Sequence, residues 1–124
     1  FAAVDVEHTV PSQGYVVSSA SGTFAVSGDT RTNETLWPVL NAVPSLTALI
    51  VEVSFPNEQI ELATEAGHYV PATMASDLAR LQHDPAIWLN AMKPGEEERI
   101  LAEVRHALPG RDVQMLTIGT ELSI

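Results

Sequence analysis

The sequence predicts a layered α/β fold, and three observations carry that prediction. Leu46 to Val53 (LTALIVEV) is a nearly continuous apolar run whose length and β-branched content suit a strand buried on both faces, as in a sheet covered by helices. Short β-rich runs alternate with segments whose apolar residues recur at helical spacing. Glycine and proline punctuate the joins between them.

Taken in order, Phe1-Ala2-Ala3-Val4 reads as a strand already in progress. Tyr15-Val16-Val17 and Thr23-Phe24-Ala25-Val26 then flank Ser18-Ser19-Ala20-Ser21-Gly22, the pattern of a hairpin with a glycine-containing loop. Leu36, Leu40 and Val43 predict a helix over 32–42, with Pro38 limiting its regularity. After the 46–53 strand, Asn57 is placed to cap a helix running through Ala66 and closed by Gly67. Pro71 opens the next helix, whose stripe is Met74, Leu78 and Leu81, and Asp84-Pro85 breaks it. Ala86-Ile87-Trp88-Leu89 is a short buried strand, and Trp37 and Trp88 both read as core. Glu96-Glu97-Glu98 favour the positive end of a helix continued by Ile100, Leu101, Val104 and Leu108 and stopped by Pro109-Gly110. Val113–Ile118 and Glu121–Ile124 are expected to form a final hairpin about Gly119.

Composition removes several function classes. The 124 residues suit one domain, and 45% hydrophobic residues supply a core, which argues against disorder. Six Lys+Arg against sixteen Asp+Glu leave a net charge of −10, and the only lysine is Lys93. Such a chain has no basic footprint for long nucleic acid. The absence of cysteine excludes disulfide frameworks, CxxC redox motifs and cysteine zinc sites. No apolar run approaches the roughly 20 residues needed to span a bilayer, so no membrane partner is expected. No Gly-rich phosphate loop, GxSxG elbow or HExxH helix is present.

The candidate chemistry lies in a few residues. Ser27-Gly28-Asp29-Thr30 puts a carboxylate just beyond a strand, at the C-terminal edge where α/β sheets bind ligands; an ordinary Asp turn is the alternative. His8, in Val6-Glu7-His8-Thr9-Val10-Pro11, could bind a metal or be a surface histidine. His68, in a loop between two helices, could donate a proton, bind a ligand or do neither. His83 and His106 fall near predicted helix C-termini, where a cation suits the dipole without further function. Glu52 sits inside an apolar strand and needs a partner if buried; holding a histidine and lying at a sheet edge are both open.

Five ordered segments resemble the C-terminal half of the metallo-β-lactamase superfamily, and within it the class II cyclic-nucleotide phosphodiesterases, with ribonuclease Z as neighbour. His8-Thr9-Val10-Pro11-Ser12 through Gly14-Tyr15 resembles that fold's third metal-binding motif. Phe24 to Thr30 resembles the strand ending in the aspartate that bridges two metals. Leu49 to Pro56 is similar to the phosphodiesterases' E-C-S-F/Y-P strand, and Gly67-His68-Tyr69-Val70-Pro71 to their G-H-L-T-P loop. Trp88 to Pro94 is similar to the strand and turn that read T-H-x-K-P. Two departures stand out. The family's H-x-H-x-D-H cluster is absent, and Ala91 stands where the pattern places a metal-binding histidine.

The resemblance implies that residues 1–124 are the C-terminal half of a four-layer αββα sandwich, beginning mid-fold, with the other half elsewhere. It implies phosphodiester hydrolysis, most specifically of a 3',5'-cyclic nucleotide, at a centre of two divalent metals. Zinc is expected there, with manganese or iron as alternatives. His8 and Asp29 would be metal ligands, and His68 would contact or protonate the leaving oxygen. The partners implied are a small nucleotide substrate and the N-terminal half of the fold, with a homodimer left open. This chain alone is expected to be inactive, and Ala91 impairing. A ribonuclease Z-like RNA-processing hydrolase and a degenerate binding or scaffold protein are the alternatives. Cytoplasm and periplasm are both compatible with the absence of cysteine.

Overall fold

A computed structural model describes residues 1–117 and 119–121. Its single six-stranded sheet keeps sequence order: β1 (Ala2–Val6), β2 (Ser12–Ser19), β3 (Gly22–Val26), β4 (Ala48–Glu52), β5 (Ala86–Asn90) and β6 (Val113–Met115). The β1–β2 and β2–β3 pairs are antiparallel, and β3 to β6 pair in parallel. Every strand except β2 therefore points the same way, and their C-terminal ends share one edge. The connections are α1 (Leu36–Ala42), a 3-10 turn (Asn57–Gln59) running into α2 (Ile60–Ala66), α3 (Pro71–Leu78) and α4 (Glu97–Ala107). No helix among the described residues is long and apolar enough to cross a membrane.

The register sorts the sheet into two unlike faces. Val16, Ala25, Leu49, Ile87 and Val113 are aligned across five strands and buried. They pack with Trp37 and Leu40 of α1, Met74 and Leu78 of α3, and Ile100 and Val104 of α4 in one core. On the opposite face, Tyr15, Val26, Ile50 and Trp88 form the next aligned row. They are only half-buried, or exposed for Tyr15, and none belongs to that core. β4 is thus covered by helices on one face, not two. Trp37 is core as expected, but Trp88 lies on the uncovered face. An all-apolar run such as AIWL hides the alternation that would have revealed this.

Several boundaries also move. The helix expected over 32–42 starts only at Leu36, because residues 30–35 spend their backbone groups on buried polar side chains described below. Pro38 falls in its first turn, where its missing N–H costs no helical bond. Asn57 does not cap its own helix: its Oδ1 accepts the Ala72 N–H of α3 at 2.8 Å. Gly67 closes α2 in the left-handed conformation, φ 82°. His83 lies beyond α3, which ends at Leu78, whereas His106 does occupy the last turn of α4. The expected C-terminal hairpin begins with β6, which instead pairs in parallel with β5. Ile118 and most of the second arm, 122–124, lie outside the described residues.

Candidate functional site

The shared C-terminal edge gathers the residues singled out from sequence. His8 follows β1, Asp29 follows β3, Glu52 ends β4 and Ala91 follows β5. His68 reaches the same edge from the α2–α3 loop by bonding to Glu52.

Glu52 is the organising group. It is 1% exposed, yet both of its oxygens are hydrogen-bonded. Oε1 accepts His68 Nδ1–H at 2.9 Å, the Thr30 N–H at 3.1 Å and the Tyr69 N–H at 3.3 Å. Oε2 accepts the Ser54 hydroxyl at 3.0 Å. Burial pushes the Glu52 carboxyl above its ordinary range, while His68, Thr30 and Ser54 pull it back. Of the two roles open for Glu52, holding a histidine is the one observed. Because Nδ1 carries the hydrogen toward Glu52, His68 turns Nε2 outward as the atom free to act. Its side chain is 21% exposed.

His8 is oriented in the same manner by a backbone group. Its Nδ1 meets the Gly67 carbonyl at 2.8 Å, so Nδ1–H donates and Nε2 keeps a lone pair when the ring is neutral. The His8 and His68 rings stand edge to face, centroids 4.9 Å apart. This approach requires glycine at position 67, since a Cβ there would lie 2.5 Å from His8 Nδ1. Gly28 meets the same demand before Asp29: its φ is 67°, and a Cβ would stand 2.2 Å from the Gln13 carbonyl oxygen. Asp29 itself is exposed, and its main-chain carbonyl is fixed by the Ser12 hydroxyl at 2.8 Å.

The donor chemistry of His8 and Asp29 fits a divalent cation: one imidazole with an oriented lone pair and one exposed carboxylate. It fits only part of a site. Among the described residues no group of three or more His, Asp or Glu is close enough to enclose an ion. Ala91, exposed and without a donor atom, adds nothing, and it has φ 58°, the one left-handed non-glycine residue among those described. Alanine is a poor choice there, because left-handed backbone favours glycine, asparagine, aspartate and histidine.

Sequence reasoning missed the residues behind the edge. Asn33 and Asp77 are buried polar groups linked to each other and to the Tyr69 hydroxyl, and no short motif announces either. Lys93, the sole lysine and part of the Trp88–Pro94 segment, was given no role; its Nζ lies 5.9 Å from the Phe55 ring, which in turn stands 6.0 Å from the His68 ring.

No protein-family model and no curated sequence matches the chain. Solved structures do. The metallo-β-lactamase fold protein YhfI from Bacillus subtilis superposes with a TM-score of 0.79 at 18% identity, over 95% of this chain and 47% of its own. Yeast PDE1, unliganded, gives 0.74 at 18% identity over 91% of this chain and 42% of its own. Human tRNase Z, short form, gives 0.63 at 21% identity over 74% and 35%. This chain therefore spans less than half the length of each of these proteins. With five parallel-pointing strands, helices on one face only and the loops gathered at one edge, its architecture is that of the metallo-β-lactamase fold.

Proposed function

We propose that this chain is the C-terminal half of a metal-dependent phosphodiester hydrolase, with a 3',5'-cyclic nucleotide as its substrate class. The observation that carries the reading is the convergence of His8, Asp29 and His68 on one sheet edge, with Glu52 orienting His68 from behind. The uncovered row Tyr15, Val26, Ile50 and Trp88 supports a second sheet, from the N-terminal half of the fold, as the missing layer. Likeness to a phosphodiesterase and to a tRNase favours phosphodiester chemistry in general. The acidic charge of −10 favours a small nucleotide over long RNA.

In this reading His8 through Nε2 and Asp29 through its carboxylate hold metal, with the remaining ligands supplied by the other half. Two divalent cations, when bound, supply Lewis-acid stabilisation of the charge on the attacking and departing oxygens, and zinc suits the imidazole donor. His68 performs the proton work of this chain. With its Nδ1–H held by Glu52, a protonated His68 presents Nε2–H as the donor to the leaving oxygen at a phosphate.

Ala91 lowers the ligand count of such a centre by one donor and supports a second reading, a degenerate binding protein that keeps the fold without turnover. One experiment addresses both. In a zinc titration with a metallochromic indicator, the chain alone is expected to bind weakly. Ala91→His should tighten binding by about tenfold or more, the scale on which even supporting residues move metal affinity. His8→Ala should cancel that gain. Affinity unchanged by Ala91→His, or a gain indifferent to His8, overturns the metal-site assignment. Turnover of a cyclic nucleotide by the chain joined with its N-terminal half would eliminate the degenerate reading.

A further inference from the structure

Tyr69 follows His68 directly and is held at both of its ends. Its main-chain N–H donates to Glu52 Oε1 at 3.3 Å, and its hydroxyl donates to Asp77 Oδ2 at 2.6 Å. The loop after β3 is tied to the same two carboxylates: the Thr30 N–H to Glu52 Oε1 at 3.1 Å and the Asn33 N–H to Asp77 Oδ2 at 3.2 Å. Asn33 Nδ2 also donates to the Tyr69 hydroxyl at 3.2 Å. Each buried carboxylate thus joins the loop that carries Asp29 to the loop that carries His68. Glu52 does so beside the site, and Asp77 does so deep behind it. Arg80 closes the far end, with Nη2 donating to Asp77 Oδ1 at 2.8 Å and to the Asn33 carbonyl at 2.6 Å.

We propose that Asp77 and Tyr69 are positioning residues for this site, acting as a second anchor that sets how the Asp29 and His68 loops lie against each other. The inference rests on the reading that Asp29 and His68 serve one substrate. Packing α3 onto the sheet does not require the pair, since Met74 and Leu78 of the same helix already fill the core. A buried carboxylate is costly unless it is fully hydrogen-bonded, and three of Asp77's partners (Asn33, Tyr69 and Arg80) lead to or close on those two loops. Burial and the neighbouring Asp77 hold the Tyr69 hydroxyl protonated far above its ordinary range, so it remains a donor throughout the working pH range.

The test needs neither metal nor substrate, so it can fail independently of the zinc titration. Amide exchange and imidazole nitrogen-15 signals are followed by NMR in the 124-residue chain, its Tyr69→Phe variant and its Arg80→Met variant. In the unaltered chain, neutral His68 should hold the single tautomer protonated at Nδ1. In Tyr69→Phe, Thr30 amide exchange should rise about tenfold relative to the amides of α4, the change expected from losing one typical net hydrogen bond. His68 should at the same time populate both tautomers. Arg80→Met alters a half-exposed side chain and should move the same two signals by a smaller factor. A uniform rise in exchange across Thr30 and α4, with His68 unchanged, would show that Tyr69 and Asp77 only add stability and would overturn the proposal. If Tyr69→Phe does not fold, Arg80→Met decides alone: Thr30 and His68 signals identical to the unaltered chain overturn it equally.

Discussion

The ends of β4 and β5 are neighbours in the sheet, paired through Glu52 and Asn90, yet they are built on opposite terms. At the end of β4, a buried carboxylate takes four donors and fixes a histidine in one orientation. At the end of β5, an exposed alanine occupies a left-handed backbone position that its side chain does nothing to justify. The contrast separates two properties of the edge. Both strand ends hold a defined backbone at the rim, but only the β4 end carries a polar side chain fixed by hydrogen bonds. Backbone hydrogen bonds tie the two ends together: the Lys93 N–H donates to the Ser54 carbonyl at 2.9 Å and the Val53 N–H to the Asn90 carbonyl at 3.2 Å.

Breaking the well-built end should have the largest effect. Glu52→Ala strands the Thr30 and Tyr69 N–H groups and the His68 Nδ1–H in the interior, and we expect a loss of about 3 kcal/mol. Urea denaturation at constant m-value reads it directly, and a loss below about 1 kcal/mol would contradict the role given to Glu52. Altering the other end should have a smaller effect of opposite sign. Ala91→Gly should stabilise the chain by roughly 0.5–1 kcal/mol, the left-handed cost of alanine less the extra freedom of glycine in the unfolded chain. A destabilised glycine variant in the same denaturation experiment would mean that Ala91 is not strained.

The smallest expected signal is a pH dependence confined to the β4 end. Because burial raises the folded-state pKa of Glu52 above 4.5, the folded chain holds this proton more tightly than the unfolded chain does. The stability this contributes is complete below about 4.5 and is lost as pH rises through the raised value. The difference between the unaltered chain and Glu52→Gln should therefore decline across weakly acidic pH, then level off. Ala91→Gly should show no such slope. Equal pH profiles for both variants would remove the distinction between the two strand ends.

How much of this was readable from sequence depends on the range of the interaction. Strands and helices follow from local pattern, and Gly67, Pro71 and the Glu97-Glu98 helix start sit where they were expected. Asn57 was misassigned because the carbonyl that looked local reaches Ala72 in another helix, fifteen residues on. Glu52 was visible as an anomaly, a charge within an apolar run, but its partners were not. His68 lies 16 residues away and Thr30 lies 22, in loops whose approach only the tertiary fold determines. Asn33 and Asp77, 44 residues apart, left no trace at all, since isolated polar residues on helices and loops are ordinarily solvated.

The common direction of β1 and β3–β6 also has a practical meaning. The candidate site residues His8, Asp29 and His68 collect at one rim, and the opposite rim holds the β2–β3 turn at Ser19–Gly22 and the approaches to β4, β5 and β6. The Ser18–Thr23 turn borders Pro44 and Ser45 there in an open depression. A dye, an affinity handle or a surface tether attached at Ser21 would stand a full strand length from His8, Asp29 and His68. The same chain can then be immobilised or labelled with the rim that carries those three residues facing solution.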